Sequence, residues 1–275
     1  RVQIPFGIAQ TGKAFRNEVV ARQFVFRMRE FEQMEMQYFV APGTDEERYA
    51  YWLESRQAWH RSIGIRPAHL RAAPHPPDKL AHYARAAADI QYLFPIGWQE
   101  VEGIHNRTDF DLSRHQEFSG KKLEVFDQAT RERYVPYVIE TSIGLDRCML
   151  MVLCDAYREE EVEGETRIVL KMHPKLAPVQ VGVFPLVKKP ELMEVADRLE
   201  AGLRETFSVQ KDASGSIGKR YRRLDEIGTP YCLTVDFDGL EDGTVTIRDR
   251  DTMAQERISV DRVEQVLRER MSSWT

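Results

Sequence analysis

The feature that most constrains this chain is "QFVFRMREFEQMEMQYFV", residues 23–40, which alternates over its whole length without a glycine or proline. Side chains two apart share one face of a strand. Counting from Arg27 puts Arg27, Arg29, Phe31, Gln33, Glu35 and Gln37 on one face, with Phe26, Met28, Glu30, Glu32, Met34 and Met36 on the other. "IPFGIAQTGKAFRNE", residues 4–18, reads as a second arm on which Arg16 and Glu18 share a face, and "VVAR" as the turn between the arms. Paired, the arms make a surface of guanidinium groups, a ring and carboxylates. By itself such a surface is a solvated sheet face whose ion pairs are each worth about 0.2–1 kcal/mol. Guanidinium groups also bind phosphate in a bidentate way, and a ring among them suits a stacked base.

The first arm contains a near-match to a phosphate loop. Gly7, Gly12 and Lys13 have the spacing G-x-x-x-x-G-K, but Ala14 stands where a metal-binding hydroxyl is required. Any grip on a nucleotide therefore falls to Arg16 and not to glycine amides.

A chain of 275 residues allows one large or two medium domains. The net charge of −5 gives no global attraction for nucleic acid, so contact with it needs a local basic surface. No apolar run approaches the roughly 20 residues of a membrane span. Cys148, Cys154 and Cys232 are scattered, against both a disulfide framework and zinc, and the natural compartment is the cytoplasm. The histidines never take a metal-like spacing. The chain starts at Arg1 inside what reads as a strand, and is expected to be a fragment of a longer protein.

Further expectations follow the pattern. Residues 45–63 form a helix ended by Gly64, and Asp78 caps a helix through "KLAHYARAAA". "DIQYLFP" and "GWQEVEGI" are strands around Pro95 to Gly97, and "RTDFDLSRHQ" is a short helix. "LEVFDQATRERYVPYVIET" holds strands, and "SIGLDRCMLMVLCDAY" is an apolar helix. "EEEVEGE" is an acidic connection. "RPAHLRAAPHPP" is an insertion loop, with contact to a nucleic-acid end the less favoured use. Beyond the acidic connection, strands and helices alternate from "VQVGVFPLV" to "DRVEQVLRERM", a second α/β domain with the boundary near 176.

"FRNE" followed by "RMREFEQMEMQYF" resembles motif 2 of class II aminoacyl-tRNA synthetases, and "YVIETSIGLDRCMLMVL" is similar to their motif 3. "HYARAAADIQYLFP" and "GWQEVEGIHNRTDFDLSRH" resemble glycyl-tRNA synthetase of the dimeric α2 type, and "SIGKRYRRLDEIGTPYCLTVDFD" its anticodon-binding domain. The resemblance implies an α/β (α+β) chain: a class II antiparallel sheet with helices over 1–176, then an anticodon-binding domain with a mixed sheet over 177–275. It implies ATP-dependent activation of glycine and transfer to tRNA(Gly), with ATP and Mg²⁺, no zinc and no membrane, as a homodimer. Motif 1 and a further glycine-site loop of the family are absent from this sequence, so this fragment is expected to be impaired on its own. The alternative is a non-catalytic synthetase-like nucleic-acid-binding or accessory protein, disfavoured because Arg16, Arg27 and Arg147 are all present.

The implied roles fall on individual residues. Arg16 and Arg147 are catalytic. ATP contacts come from Arg16, Asn17, Glu18, Phe26, Arg27, Phe31, Glu100, Val101, Gly144 and Arg147, with Glu100 also on the metal side. Glycine contacts come from Phe31, Glu32, Gln33, Met34, Glu35, Glu140 and Ser142. Asp146 replaces the second glycine that most of the class keep in motif 3. Among Lys219, Arg220, Arg222 and Arg223, some are expected on tRNA phosphates.

Overall fold

Alternation along the second arm does build a strand, but a shorter one than the sequence suggests: it begins at Glu30. The computed structural model describes residues 3–274, and its contacts divide into two units, one ending at Met151 and the next beginning at Val152. That division is earlier than the expected boundary near 176.

The first unit is a six-stranded antiparallel sheet in the order β1-β2-β8-β5-β4-β3. Its strands are β1 (Phe6–Phe15), β2 (Glu30–Val40), β3 (Leu70–Pro74), β4 (Ala86–Phe94), β5 (Gly97–Thr108) and β8 (Tyr137–Gly144). The short pair β6 (Val125–Phe126) and β7 (Arg133–Tyr134) precedes β8. Helices α1 (Asp45–Ser62) and α2 (Phe110–Ser119) complete the unit, and α3 (Leu145–Ala156) follows β8 directly.

α1 covers one face of the sheet through polar as well as apolar contacts. Trp52 meets Tyr38 edge-on at 5.2 Å. Glu102 is fully buried and accepts from Arg56 Nε at 2.5 Å, with His60 Nε2 at 2.8 Å. Asp45 accepts from Asn106 Nδ2 at 2.7 Å and Arg85 Nη1 at 2.9 Å. A buried carboxylate is costly unless paired in this way. These ties fix which side chains of β5 point to α1 and so which point to the other face.

That other face holds the polar row of β2. Pairing sets Gln33 opposite Gly144, Glu35 opposite Ser142 and Gln37 opposite Glu140. On β5 the alternation is broken: Ile90 of β4 pairs with Glu102 but Gln91 pairs with Glu100, leaving Val101 as an extra residue. This bulge turns Glu100 to the same face as Gly103, His105 and Arg107, although Glu102 between them faces α1.

Several local expectations are corrected. The arms are not one continuous hairpin: residues 16–29 form a loop with a short 3₁₀ turn, Phe24–Phe26, closed by a bridge between Arg22 and Arg27. "KLAHYARAAA" is not a helix; a 3₁₀ turn at Pro77–Lys79 leads into β4, where Ala87 and Ala88 are buried in the sheet. Tertiary pairing overrides alanine's helix preference here. "RPAHLRAAPHPP" is not an insertion loop but supplies the edge strand β3. "EEEVEGE" is a hairpin rather than an acidic connection, because Glu163 and Gly164 both take positive φ, 52° and 81°, the conformation of a two-residue turn between strands.

The second unit contains that hairpin, β9 (Tyr157–Val162) and β10 (Glu165–Leu170). Its main sheet is mixed, in the order β12-β11-β13-β14-β15. The strands are β11 (Val181–Pro185), β12 (Val209–Lys211), β13 (Tyr231–Val235), β14 (Thr244–Asp249) and β15 (Gln255–Ser259). The helices are α4 (Pro190–Leu203), α5 (Ile217–Glu226), α6 (Phe237–Asp242) and α7 (Val263–Ser272). α4 and α7 bury Leu192, Ala196, Leu199, Val263 and Leu267 against Val183, Leu233 and Ile247. Phe184, Leu224 and Cys232 form a smaller cluster with α5. The hairpin joins this unit because Arg167 reaches Asp225 of α5 at 3.0 Å and the Arg250 carbonyl at 2.6 Å.

Candidate active site

The open face of the first unit carries a cleft of about 610 Å³, counting its mouth, lined by Arg16, Glu18, Phe26, Arg27, Phe31, Gln33, Glu100, Val101, Ser142, Gly144 and Arg147, with Val25, Met28 and Asp146. It continues into a larger hollow that shares Arg16, Phe31, Gln33, Glu100 and Ser142 and adds Glu35 and Glu140. The two follow one another along the strands, because Gln33 and Gly144 lie at one level of the register and Glu35 and Ser142 at the next.

The guanidinium groups of the cleft differ in how far they are committed. Arg147 is tied: Nη2 donates to the Phe26 carbonyl at 2.7 Å and Nη1 to the Glu100 carbonyl at 2.9 Å, with the Glu100 carboxylate at 3.4 Å. It thereby pins the Phe24–Phe26 turn to β5, while Phe94 packs edge-on against Phe26 at 4.9 Å. Arg27 pairs with Glu18 at 3.1 Å. Arg16 is different. Its guanidinium has no hydrogen bond or ion pair among the described residues and rests over the Phe31 ring, 5.3 Å from the centroid. Only its backbone is fixed, through Arg16 N to Arg29 O at 2.9 Å.

Beyond Arg16 the hollow is acidic and tightly bonded. Gln37 Nε2 donates to Glu35 at 2.6 Å and to Glu140 at 3.0 Å, and Gln33 Nε2 donates to the other Glu35 oxygen at 3.0 Å. Arg107 Nη1 donates to Glu140 at 3.0 Å and is itself gripped by Asp111 at 2.7 Å. Burial pushes the Glu140 carboxyl up, but His105, Gln37 and the Arg107 charge outweigh it and hold it below its ordinary value. Glu140 is thus an anion at neutral pH. A Cβ on Gly144 would meet no atom within 4 Å, so this glycine leaves open cleft where a side chain would stand.

The structure does not bring every expected residue together. Asn17 is exposed and outside the lining. Glu32 and Met34 fall on the opposite face by the same alternation that exposes Gln33 and Glu35 to the cleft, and the Glu32 amide meets Asp146 Oδ2 at 3.4 Å. Arg29 leaves the row: its side chain holds the Glu18 and Val19 carbonyls and so braces the 16–29 loop. His75, Tyr83, Asp89, Gly103, His105 and Arg107 line the hollow although no motif in the sequence marks them as site residues. For His105 and Arg107 the missing signal is the bulge at Val101. On the basic helix, Arg220 spends its donors on the carbonyls of Pro185, Ala213, Ser214 and Gly215, Arg222 pairs with Glu165, and Arg223 with Asp212. Lys219 remains exposed.

A family model described as the tRNA synthetase class II core domain (G, H, P, S and T) matches residues 1–156. This chain belongs to the class II tRNA synthetase core family. A second model, anticodon binding domain, matches residues 180–270 of the synthetase chain. The glycine--tRNA ligase of Chlorobaculum tepidum is 57% identical over 268 residues, covering 97% of this chain and 57% of that protein. That of Thermobifida fusca is 52% identical over 280 residues, covering 99% and 61%. The synthetase chain described here thus spans about three-fifths of the length of the curated relatives it matches. Prolyl-tRNA synthetase from Cryptosporidium parvum, solved with L-proline and AMP, shares the fold at a TM-score of 0.71 and 17% identity, over 98% of this chain and 57% of that one.

Proposed function

We propose that the cleft activates glycine with ATP and passes the glycyl group to tRNA(Gly), as the names of the relatives suggest. The observation that carries this is Arg16: a guanidinium with unspent donors, seated between an aromatic cleft and an acidic hollow. The glycine carboxylate attacks the α-phosphorus and pyrophosphate leaves, so no protein nucleophile is needed. What is needed is positioning and stabilisation of charge on phosphate oxygens. Arg16 bridges the carboxylate and the α-phosphate, Phe31 stacks the adenine with Glu18 near it, and Arg147 with Arg27 takes the remaining phosphates.

The ammonium of glycine is held by Glu35, Glu140 and Ser142, with Gln33 fixing Glu35. Two carboxylates already oriented by amides cost little reorganisation when a cation arrives. Mg²⁺, when bound with ATP, neutralises phosphate charge. Among the described residues no three acidic, histidine or cysteine side chains converge as a metal cage, which suits an ion carried mainly by phosphates and water with Glu100 beside it. The second unit engages the anticodon region of tRNA(Gly), with Lys219 free to meet phosphate. A cytoplasmic homodimer completes the proposal.

The test is ATP–pyrophosphate exchange on this chain and on a version extended to its relatives' length. Glycine-dependent exchange is expected in the extended protein. Exchange driven by another amino acid and not by glycine would sink the proposal.

A further inference from the structure

The hollow beyond the glycine carboxylates is larger than glycine requires, and part of its wall touches none of the groups assigned to activation. That wall includes a histidine–carboxylate pair. His75 Nε2 stands 2.9 Å from Asp89 Oδ1. Asp89 is on β4 at the level of Gly103 of β5, and Gly103 is paired in turn with Ser142 of β8. Asp89 therefore sits in the same cross-strand row as Ser142 and Glu35.

Of the histidine–carboxylate pairs in this unit, His105 with Glu140 at 3.4 Å belongs to the glycine site, and two others serve as controls for each other. His60 and Glu102 are 0% exposed and lie against α1, a sealed structural tie. The side chains of His75 and Asp89 are 31% and 20% exposed and line the hollow with Arg16. Nε2 lies at ion-pair distance from the Asp89 carboxylate, and in the neutral tautomer that carries its proton on Nε2 toward that carboxylate, Nδ1 has the free lone pair. His75 Nδ1 has no partner among the described residues. A carboxylate that orients one ring nitrogen and leaves the other to accept a proton is the arrangement of a general base.

We infer that His75, oriented by Asp89, accepts the proton of the tRNA 3′-terminal ribose hydroxyl when the glycyl group is transferred. This rests on the glycine-activating function proposed above. In the step, the ribose oxygen bonds to the glycyl carbonyl carbon. The bond from that carbon to the phosphate oxygen breaks, and AMP leaves with the electron pair. The hydroxyl proton moves to His75 Nδ1 and then to solvent. The hollow that His75 lines is also lined by Glu35 of β2, Glu140 of β8, His105 and Arg107 of β5, and Tyr83 before β4. The His105 ring is edge-on to His75 at 6.5 Å.

The experiment separates the half-reactions in the enzyme at its relatives' full length. Pyrophosphate exchange reports activation; single-turnover transfer from preformed glycyl-adenylate to tRNA(Gly) reports the second step. His75→Ala is expected to slow transfer on the order of a hundredfold, and at least tenfold more than it slows exchange. Added imidazole restores part of the transfer rate, which a purely structural role would not allow. Asp89→Asn slows transfer in the same direction. If His75→Ala lowers both half-reactions equally, or leaves transfer intact, or is not rescued by imidazole, the assignment is overturned. If the parent enzyme shows no glycine-dependent exchange, the underlying function falls and this inference falls with it.

Discussion

Arg16 in the first unit and Arg248 in the second each follow an apolar residue, Phe15 and Ile247, and precede polar or charged ones. Their surroundings are opposite. Arg16 is exposed, with its guanidinium resting on Phe31 and committed to no carboxylate. Arg248 is buried, bonds Asp225 through both terminal nitrogens at 2.9 and 3.1 Å, and lies 4.7 Å from the Tyr221 ring centroid. Arg167 and Arg250 follow the second pattern, divided among Asp225, Glu160, Asp251 and the carbonyls of Met172, Gly228 and Arg250. An arginine whose donors are spent in the interior is therefore architectural and one whose donors are unspent is open to a ligand, with Arg27 and Arg147, tied at the cleft to Glu18, Glu100 and the Phe26 carbonyl, between the two. Counting arginines cannot separate the two.

Breaking the architectural set gives the largest expected effect. Asp225→Ala strands Arg248 in the interior and takes one of the partners of Arg167, which keeps Glu160 and the Arg250 carbonyl, and a buried pair broken on one side costs roughly 3–5 kcal/mol. Denaturant unfolding followed in the second unit is expected to record that loss. Removing the unspent group comes next. Arg16→Ala is expected to lower glycine-dependent exchange roughly 100- to 1,000-fold, about 2.7–4 kcal/mol, with no drop in melting temperature. A matching fall in melting temperature would place Arg16 with the architectural arginines instead.

Glu140 lies between the two kinds, being both bonded and open to the hollow. Glu140→Gln removes a charged partner for ammonium, worth about 1.5–3 kcal/mol, and a rise in the KM for glycine with little change in kcat is the expected result. The same residue sets a pH dependence. Its carboxyl is held below the ordinary value of 4.5, so its contribution to stability is complete above that value and disappears as pH falls through the lowered one. Acid unfolding is expected to lose that component in Glu140→Gln, whose side chain does not titrate. The smallest effect belongs to a surface pair. Arg222 and Glu165 are 3.2 Å apart but 37% and 79% exposed, so Arg222→Ala is expected to change stability by less than about 0.5 kcal/mol in a melting experiment.

Part of this contrast is legible in the sequence. The alternation of residues 30–40 gives β2 and its polar face, and the Gly-x-x-Arg junction of "SIGLDR" marks where β8 passes into α3. The rest depends on events that leave no period in the sequence. A single extra residue, Val101, reverses the parity of β5 and brings Glu100 to the face of Gly103 and His105. Two residues at positive φ, Glu163 and Gly164, make a hairpin of an acidic run. Arg29 looks like a member of the cleft row until the chain before Glu30 leaves the strand and turns its side chain to the loop carbonyls. His75 looks like a loop residue until β3 and β4 pair and bring it to Asp89.

The most direct measurement is arginine modification by phenylglyoxal on the native protein, mapped by mass spectrometry with and without ATP and glycine. Arg16 is expected to react and to be protected by the substrates, while Arg167, Arg248 and Arg250 stay unmodified until the protein is unfolded. Ready modification of Arg248 in the folded protein, or an Arg16 whose reaction is indifferent to ATP and glycine, would contradict the division between spent and unspent guanidinium groups.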